Sequence, residues 1–138
     1  MGYRDVYAGW QANPEGFWME AAKQIDWVTP PSKALNDSRA PLYEWFTDAT
    51  VNTCYNAVDR HVLAGRGDQV AIIHDSPVTR TKHSITYREL QTRVASLAGA
   101  LRAKGVAKGD RVSIYMPMVP EALEAMLACA RLGAIHSV

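Results

Sequence analysis

A strand–helix–strand pattern near the carboxyl end constrains the fold more than any other feature of this sequence. The apolar run 112–116 predicts a strand, and residues 134–138 predict another. Between them, a helix begins at Pro120 and ends at Gly133. Strands joined through one helix pair in parallel with a right-handed crossover, so the predicted fold class is α/β. The helix positions that we expect to face inward are Leu123, Met126, Leu127 and Ala130.

A helix and a hairpin precede this unit. Thr86 and Glu89 have the spacing of a capping box, which predicts a helix start, and Gly105 predicts its end. The apolar run 70–73, a turn after it and the short run 84–87 predict an antiparallel hairpin whose first strand is buried. The inward face expected for the helix consists of Leu90, Val94, Leu97, Ala98 and Leu101.

The first third of the chain is irregular and rich in aromatic residues. Asn13-Pro14-Glu15 predicts a helix start, because an amide side chain caps the free backbone N–H groups and proline is tolerated in the first turn. The segment 30–41 lacks periodicity and predicts an extended surface arm laid across a larger body. A further helix is predicted with Asn52 as its cap and an apolar face that consists of Val51, Cys54, Tyr55, Val58 and Val62.

The sequence stops inside the second strand of the strand–helix–strand pattern. Parallel sheets are normally covered on both faces by several such units. We therefore expect these 138 residues to be the front part of a longer protein.

Composition indicates a globular chain and disfavours two partner classes. Of its residues 48% are hydrophobic and 21% charged, with a net charge of +1, which disfavours nucleic-acid and polybasic membrane binding. Glu124 interrupts the longest apolar run, which is far too short to cross a bilayer. The first residues do not resemble a signal peptide. Cys54 and Cys129 lie in apolar helical patterns and are expected to be buried thiols, so we expect a cytoplasmic location.

No local motif specifies chemistry. Glycine-rich phosphate loops do not occur, and the four histidines lack metal-ligand spacing. His136 and Ser137 are adjacent on a strand and so point to opposite faces. We expect Arg66-Gly67-Asp68 to form a turn, although the same tripeptide is recognised by cell-adhesion receptors. We also expect Asp110-Arg111 to form a turn rather than a local ion pair. Met116, Met118 and Met126 are expected to fill the core, and the aromatic residues Trp10, Phe17, Trp18, Trp27 and Trp45 to pack the arm onto its body.

Several long segments resemble the acetyl- and propionyl-CoA synthetase branch of the adenylate-forming superfamily, that is, the AMP-forming short-chain acyl-CoA synthetases. Glu15-Gly16-Phe17-Trp18 and Ile25-Asp26-Trp27 are similar to the amino-terminal extension of that branch. The resemblance implies an extension over residues 1–50 and the beginning of an incomplete AMP-binding domain over 51–138. The segments similar to the AMP-binding domain are 52–61, 85–90, 105–112, 114–121 and 127–138.

The resemblance implies a two-step ligase reaction. A carboxylate attacks the α-phosphate of ATP·Mg²⁺ to give an acyl-adenylate and pyrophosphate, and the thiol of CoA then displaces AMP. The family's phosphate loop, ribose-binding acid, arginine and mobile lysine are expected beyond residue 138. We therefore assign no catalytic, cofactor-binding or metal-ligating residue to 1–138, and we expect this chain alone to be inactive and to bind no ATP, Mg²⁺ or CoA.

The acid used by the longer protein stays open. Ile25-Asp26-Trp27 and Asp75-Ser76-Pro77-Val78-Thr79 resemble the propionyl-CoA side more than the acetyl-CoA side. The acyl pocket lies outside these residues, so acetate, acetoacetate and butyrate remain alternatives.

A different class of function is a stand-alone interaction module derived from such an enzyme, binding a partner through its unpaired sheet edge. A truncated parallel sheet exposes apolar surface, so we also expect the isolated chain to self-associate.

Overall fold

The structure, a computed structural model, describes residues 2–138 as two compact units, one ending at Val51 and the other running from Asn52 to Val138. Helices and small antiparallel and parallel sheets together make the chain mixed α/β, as the sequence predicts.

The first unit consists of two helices and two short antiparallel ladders. One ladder joins residues 27–29 to residues 50–51, and the other joins residues 35–36 to residues 44–45. The elements are α1 Tyr3–Ala12, α2 Pro14–Ala22, β1 Trp27–Thr29, β2 Leu35–Asn36, β3 Glu44–Trp45 and β4 Thr50–Val51.

The start of α2 confirms the prediction from Asn13-Pro14-Glu15. The Asn13 side chain accepts a hydrogen bond from the Gly16 N–H at 2.9 Å, and Pro14 is the first helical residue. Helix α1, in contrast, was missed by the sequence analysis. None of its ten residues is buried, although Tyr3, Val6, Tyr7 and Trp10 have the i, i+3, i+4, i+7 spacing of an amphipathic helix and would have predicted it.

The segment 30–41 is more structured than expected, because it contains β2. Its centre is Ala34, which is only 1% exposed. The Ala34 N–H donates to the Glu15 carboxylate at 2.6 Å, and its carbonyl accepts from the Phe46 N–H at 2.8 Å. A two-residue strand is too short to give a period-2 pattern, and the burial of Ala34 shows that the prediction of an extended surface segment was wrong at this point.

The second unit begins with two successive π-helical turns and continues as a hairpin, two helices and a parallel strand pair. The elements are the π-helical turns Tyr55–Asp59 and Val62–Arg66, β5 Val70–Ser76, β6 Thr81–Thr86, α3 Tyr87–Ala103, β7 Arg111–Ser113, α4 Pro120–Leu132 and β8 Ile135–Ser137. Strands β5 and β6 pair antiparallel, with Ile72 opposite Ile85. Strands β7 and β8 pair in parallel on either side of α4 in the chain, as predicted.

The core of the second unit draws on most of these elements. The fully packed residues are Cys54, Val58, Ile85, Leu90, Val94, Ala98 and Ala128. The inner face predicted for α3 is confirmed by this set. For the first helical segment it is confirmed at Cys54 and Val58 but was wrong at Tyr55, which is exposed, and at Val51, which lies in β4 instead of the helix. The capping predictions are confirmed too: Asn52 accepts from the Tyr55 N–H at 2.9 Å, and Thr86 and Glu89 form the capping box of α3.

Three predictions about the strands and α4 were wrong in detail. Strand β5 is not buried throughout, since Ile73 is exposed; only one of its faces meets the core. Strand β7 ends at Ser113 rather than at residue 116, because its partner β8 ends at Ser137, whose carbonyl accepts from the Ile114 N–H at 2.8 Å.

The buried face of α4 is also rotated relative to the prediction. Leu123 is exposed, whereas Leu127 and Ala130 are partly buried against the core. Glu124 is buried because Arg93 of α3 pairs with it at 3.2 Å. The fully buried positions of α4 are Pro120, Glu124, Ala125, Ala128 and Cys129.

Candidate functional site

The clearest candidate site of the second unit is a cavity of about 370 Å³ beside the carboxyl end of β7. In open α/β sheets, ligands bind outside the carboxyl ends of the strands. The cavity is lined by residues 72–74 of β5, the segment 116–120, the first turns of α4 and Val138.

The segment between β7 and α4 forms one wall of this cavity. The Val119 N–H donates to the Pro117 carbonyl at 2.8 Å, and Pro120 opens α4. Met116 is half exposed and Met118 is 95% exposed, so the expectation that both fill the core was wrong. The early end of β7 is the physical reason, since residues beyond Ile114 leave the sheet.

The chemistry of this cavity is that of an apolar surface. Among its described lining residues, His74 is the one with a titratable side chain. No charged group and no pair of acid and base lines it within residues 2–138. The cavity can bury an apolar group, but its lining offers no cation to neutralise a phosphate.

A buried polar network ties together three helical elements of the same unit. Both carboxylate oxygens of Asp59 accept from the Arg131 guanidinium at 2.7 Å, and Gln91 donates to Asp59 at 2.7 Å. Asn52 donates to the Arg131 carbonyl at 3.1 Å. The network therefore joins the first π-helical turn, α3 and α4.

The charges of this network stabilise the packing of the helices and do not prepare a reactive group. Burial lowers the pKa of the Arg131 guanidinium, but its hydrogen bond to Asp59, the Asp59 charge and the neighbouring Cys54 together outweigh that effect, and the pKa lies above its ordinary value. Burial raises the pKa of the Cys54 thiol and of the Cys129 thiol. Both cysteines are free and buried, as predicted, and thiols held protonated are poor nucleophiles.

The sequence analysis did not single out the Asp59–Arg131 pair. The two residues are 72 positions apart, so no local spacing connects them. The only available signal was that Asp59 follows the core residue Val58 and Arg131 follows Ala130 on helices with apolar faces.

The turn interpretations are confirmed. The carbonyl of Gly67 accepts from the Arg88 N–H at 2.9 Å, and Asp68 pairs with the Arg88 side chain at 3.3 Å. The Asp110 carboxylate accepts from the Ala107 N–H at 2.7 Å, which closes the turn before β7.

The four histidines occupy three separate places. His136 of β8 is partly buried while Ser137 is exposed, as expected for opposite faces. Next to Tyr87, His61 contacts Arg66, and burial together with the nearby Arg66 and Arg60 cations lowers its pKa. His74 and His83 face each other across the hairpin.

The aromatic residues of the first unit contact one another. Ring centroids lie 5.3 Å apart for Phe17 and Trp18, 5.4 Å for Trp18 and Trp45, and 5.5 Å for Trp27 and Phe46. Packing of these residues onto a larger body stays a prediction.

The described residues contain neither a cluster of metal-ligating side chains nor a helix that could span a membrane. No set of three or more His, Cys, Asp or Glu side chains in residues 2–138 is arranged to hold a metal ion. Over the same residues, no helix combines the length and the apolar character that crossing a bilayer requires.

Comparison with known proteins gives matches along nearly the whole chain. The family described as acetyl-coenzyme A synthetase N-terminus matches residues 3–57, and the family described as AMP-binding enzyme matches residues 59–138. The mitochondrial acyl-CoA synthetase short-chain family member 3 of Bos taurus is 53% identical over 136 residues, which are 99% of this chain and 20% of that protein. The acetyl-coenzyme A synthetase of Xanthobacter autotrophicus is 53% identical over 139 residues, covering 99% of this chain and 21% of that protein. The chain thus spans about a fifth of the length of these relatives.

Proposed function

The chain belongs to the AMP-binding enzyme family, and we propose that it is the amino-terminal part of a ligase that joins a short-chain carboxylate to CoA at the expense of ATP. The observation that carries this proposal is the identity of about half of all positions to acyl-CoA and acetyl-CoA synthetases, without interruption by an unmatched domain. The extension over residues 1–50 and the start of the AMP-binding domain over 51–138 are the parts of that ligase we assign to this chain.

The proposed reaction has two steps on one enzyme. The carboxylate oxygen attacks the α-phosphorus of ATP and pyrophosphate leaves, which gives the acyl-adenylate. The CoA sulfur then attacks the acyl carbon and AMP leaves. Neutralising the charge that develops on the phosphates is the main catalytic demand of the first step, and Mg²⁺ supplies part of it when bound.

The described residues do not fit the polyphosphate or Mg²⁺. The cavity at the carboxyl end of β7 is lined by methionine, proline and aliphatic side chains, whereas Mg²⁺ prefers carboxylate and water oxygens. The carboxylates of the same unit that are buried, Asp59 and Glu124, are engaged by Arg131 and Arg93. We therefore propose that the groups that bind ATP, Mg²⁺ and CoA lie outside residues 2–138, and that this chain by itself is inactive.

Propionate and acetate are the acids we propose. Resemblance to the propionyl-CoA side supports propionate, and the 53% identity to a protein named acetyl-coenzyme A synthetase supports acetate. The chain's contribution is to position the start of the parallel sheet, against which the remaining sheet of the ligase is built.

The experiment starts from the native protein, captured from its source cells with an antibody to this chain. We expect a mass several times 15.2 kDa and ATP–pyrophosphate exchange that depends on propionate or acetate. Butyrate and acetoacetate serve as comparison acids. The proposal is contradicted if the captured protein is as long as its relatives but shows no ATP–pyrophosphate exchange with any of the four acids.

One observation favours a second candidate, the stand-alone interaction module. The β7–β8 sheet has two strands in the part of the chain that the structure describes, and its outer edges are open there to pairing with another strand. A native mass of 15.2 kDa supports this module and contradicts the ligase.

We also propose that the isolated chain self-associates. Tyr115 is fully exposed and Met118 95% exposed beside the apolar cavity, and exposed apolar patches drive association. Light scattering should detect species larger than a monomer, and Met118→Lys should reduce them. A monomer at high concentration in the unmodified chain contradicts this expectation.

A cytoplasmic location is the compartment we propose, supported by two buried free thiols that a reducing compartment preserves. One relative is named as mitochondrial, and fractionation of source cells with the same antibody distinguishes the two locations.

A further inference from the structure

We propose that His74 and His83 form a two-imidazole binding site for a divalent transition-metal ion that prefers nitrogen ligands, such as Zn²⁺ or Cu²⁺. The site lies on the β5–β6 hairpin. Neither the ligase reaction nor the family matches assign it, and it stands independently of the proposed function.

The backbone places the two rings directly opposite each other. His74 and His83 are register partners in the antiparallel ladder, and directly opposed side chains share one face of a sheet. The same face carries Ile72 and Ile85 two positions further along, so it is the face that meets the core. The ladder on both sides of the pair fixes the strands, so little backbone rearrangement is needed for both rings to reach one ion.

The separation of the rings matches that of two imidazoles on one ion. A metal–nitrogen bond of about 2.0–2.1 Å puts the centroids of two ligating rings about 4.5 Å apart at a right angle and about 5.2 Å apart at the tetrahedral angle. The centroids of His74 and His83 are 5.0 Å apart, with 61° between the ring planes. The observed centroid separation therefore lies between the values that these two coordination angles require.

One ring nitrogen of His74 is not engaged by a hydrogen bond. Its Nδ1 is buried and has no hydrogen-bond partner among residues 2–138. No second group therefore fixes the tautomer, and a buried nitrogen without a partner is unfavourable unless something occupies it. A coordinated ion satisfies that nitrogen directly. If the imidazole rotates by 180° about its bond to Cβ, the other ring nitrogen binds the ion instead.

The neighbouring charges do not compete for the ion. Asp75 is one position from His74 and therefore on the opposite face, where its carboxylate pairs with Lys82 at 3.1 Å. No third His, Cys, Asp or Glu joins the two histidines within the described part of the chain, so water completes the coordination shell. Two protein ligands predict moderate affinity, with Cu²⁺ bound more tightly than Zn²⁺.

The test uses the full chain with ZnCl₂ and CuCl₂ as probes in isothermal titration calorimetry, and electron paramagnetic resonance for Cu²⁺. We expect one ion per chain and a Cu²⁺ spectrum with two nitrogen ligands. His74→Gln and His83→Gln should each weaken binding by about tenfold or more, because each leaves a single imidazole.

Controls separate this site from adventitious binding. His136→Gln removes a histidine from β8 and should leave the affinity and spectrum unchanged. Circular dichroism of each variant verifies folding, and His83, which is exposed, gives a variant with little effect on the core. Absence of stoichiometric binding below about 1 mM, or binding that survives both His74→Gln and His83→Gln, overturns the proposal.

Discussion

At the scale of single residues, the Asp59–Arg131 pair carries the largest expected effect. Both partners are mostly buried, and Gln91 adds a further hydrogen bond to the Asp59 carboxylate. Asp59→Ala leaves the Arg131 charge without its partner, so we expect a loss of about 3 kcal/mol in the free energy of unfolding.

Urea denaturation followed by circular dichroism measures this loss. Asp75→Ala is the matched control, because Asp75 pairs with Lys82 at a solvent-exposed site and should cost about 0.5 kcal/mol or less. Equal effects of the two substitutions would show that the buried network contributes no more than a surface pair.

The capping box of α3 predicts a dependence of stability on pH. The Thr86 backbone N–H donates to the Glu89 carboxylate at 2.8 Å, and with the Thr86 hydroxyl it lowers the pKa of Glu89. Because the folded-state pKa lies below the unfolded value, the contribution of Glu89 is present above the unfolded pKa. It is lost as the pH falls through the folded pKa.

Unfolding measured from pH 6 down to pH 2 checks this effect. Glu89→Gln should flatten the acid-dependent loss of stability, whereas Glu121→Gln, in the first turn of α4, where no side chain caps the helix, should retain it. An unchanged pH profile for Glu89→Gln contradicts the assignment.

These two residue sites differ in how far the sequence predicts them. The capping box spans three positions, and its geometry follows from local backbone chemistry, so the spacing of Thr86 and Glu89 is sufficient. The Asp59–Arg131 contact depends on the packing of elements 72 residues apart, so only the folded chain reveals it.

At the scale of elements, the end of α4 depends on one backbone conformation. Gly133 has φ +75°, and its carbonyl accepts from the Gly109 N–H at 3.0 Å, which aligns the turn before β7 with the turn before β8. We expect Gly133→Ala to destabilise the chain by about 1 kcal/mol, because alanine is strained at positive φ.

Gly99→Ala is the matched control for this substitution. Gly99 lies inside α3, and a Cβ there would meet no atom within 4 Å. Alanine should therefore stabilise α3 by about 0.5–1 kcal/mol, measured by thermal or urea unfolding. We expect the two substitutions to change the free energy of unfolding in opposite directions. A change in the same direction for both would contradict this expectation.

The existence of the second unit's main elements was predictable, but their faces were less so. Caps, glycine stops and apolar spacing identify α3, α4 and the hairpin, because these signals are local. The face of α4 was wrong because Glu124 is buried by pairing with Arg93, which periodicity of apolar residues does not register. The handedness of the crossover between β7 and β8 stays a prediction.

At the scale of the whole molecule, the sequence predicts a family but not a catalytic site. Long matched segments such as 127–138 specify core positions, turns and a parallel strand pair, and those features recur throughout the family. The cavity beside β7 is apolar and carries no group for phosphate chemistry among the described residues. We therefore propose that the choice of acid and the reacting groups belong to parts of the ligase other than residues 2–138.

We propose that this chain forms the structural start of a short-chain acyl-CoA ligase and contributes neither the catalytic groups nor the choice of acid. A chimera tests it most directly: this chain replaces the matching segment of the Xanthobacter autotrophicus acetyl-coenzyme A synthetase, to which it is 53% identical. We predict that the chimera forms acetyl-CoA with a kcat within about tenfold of the host and with the host's preference between acetate and propionate, while the host without the segment is inactive. A folded chimera without activity, or one whose acid preference changes, would contradict the claim.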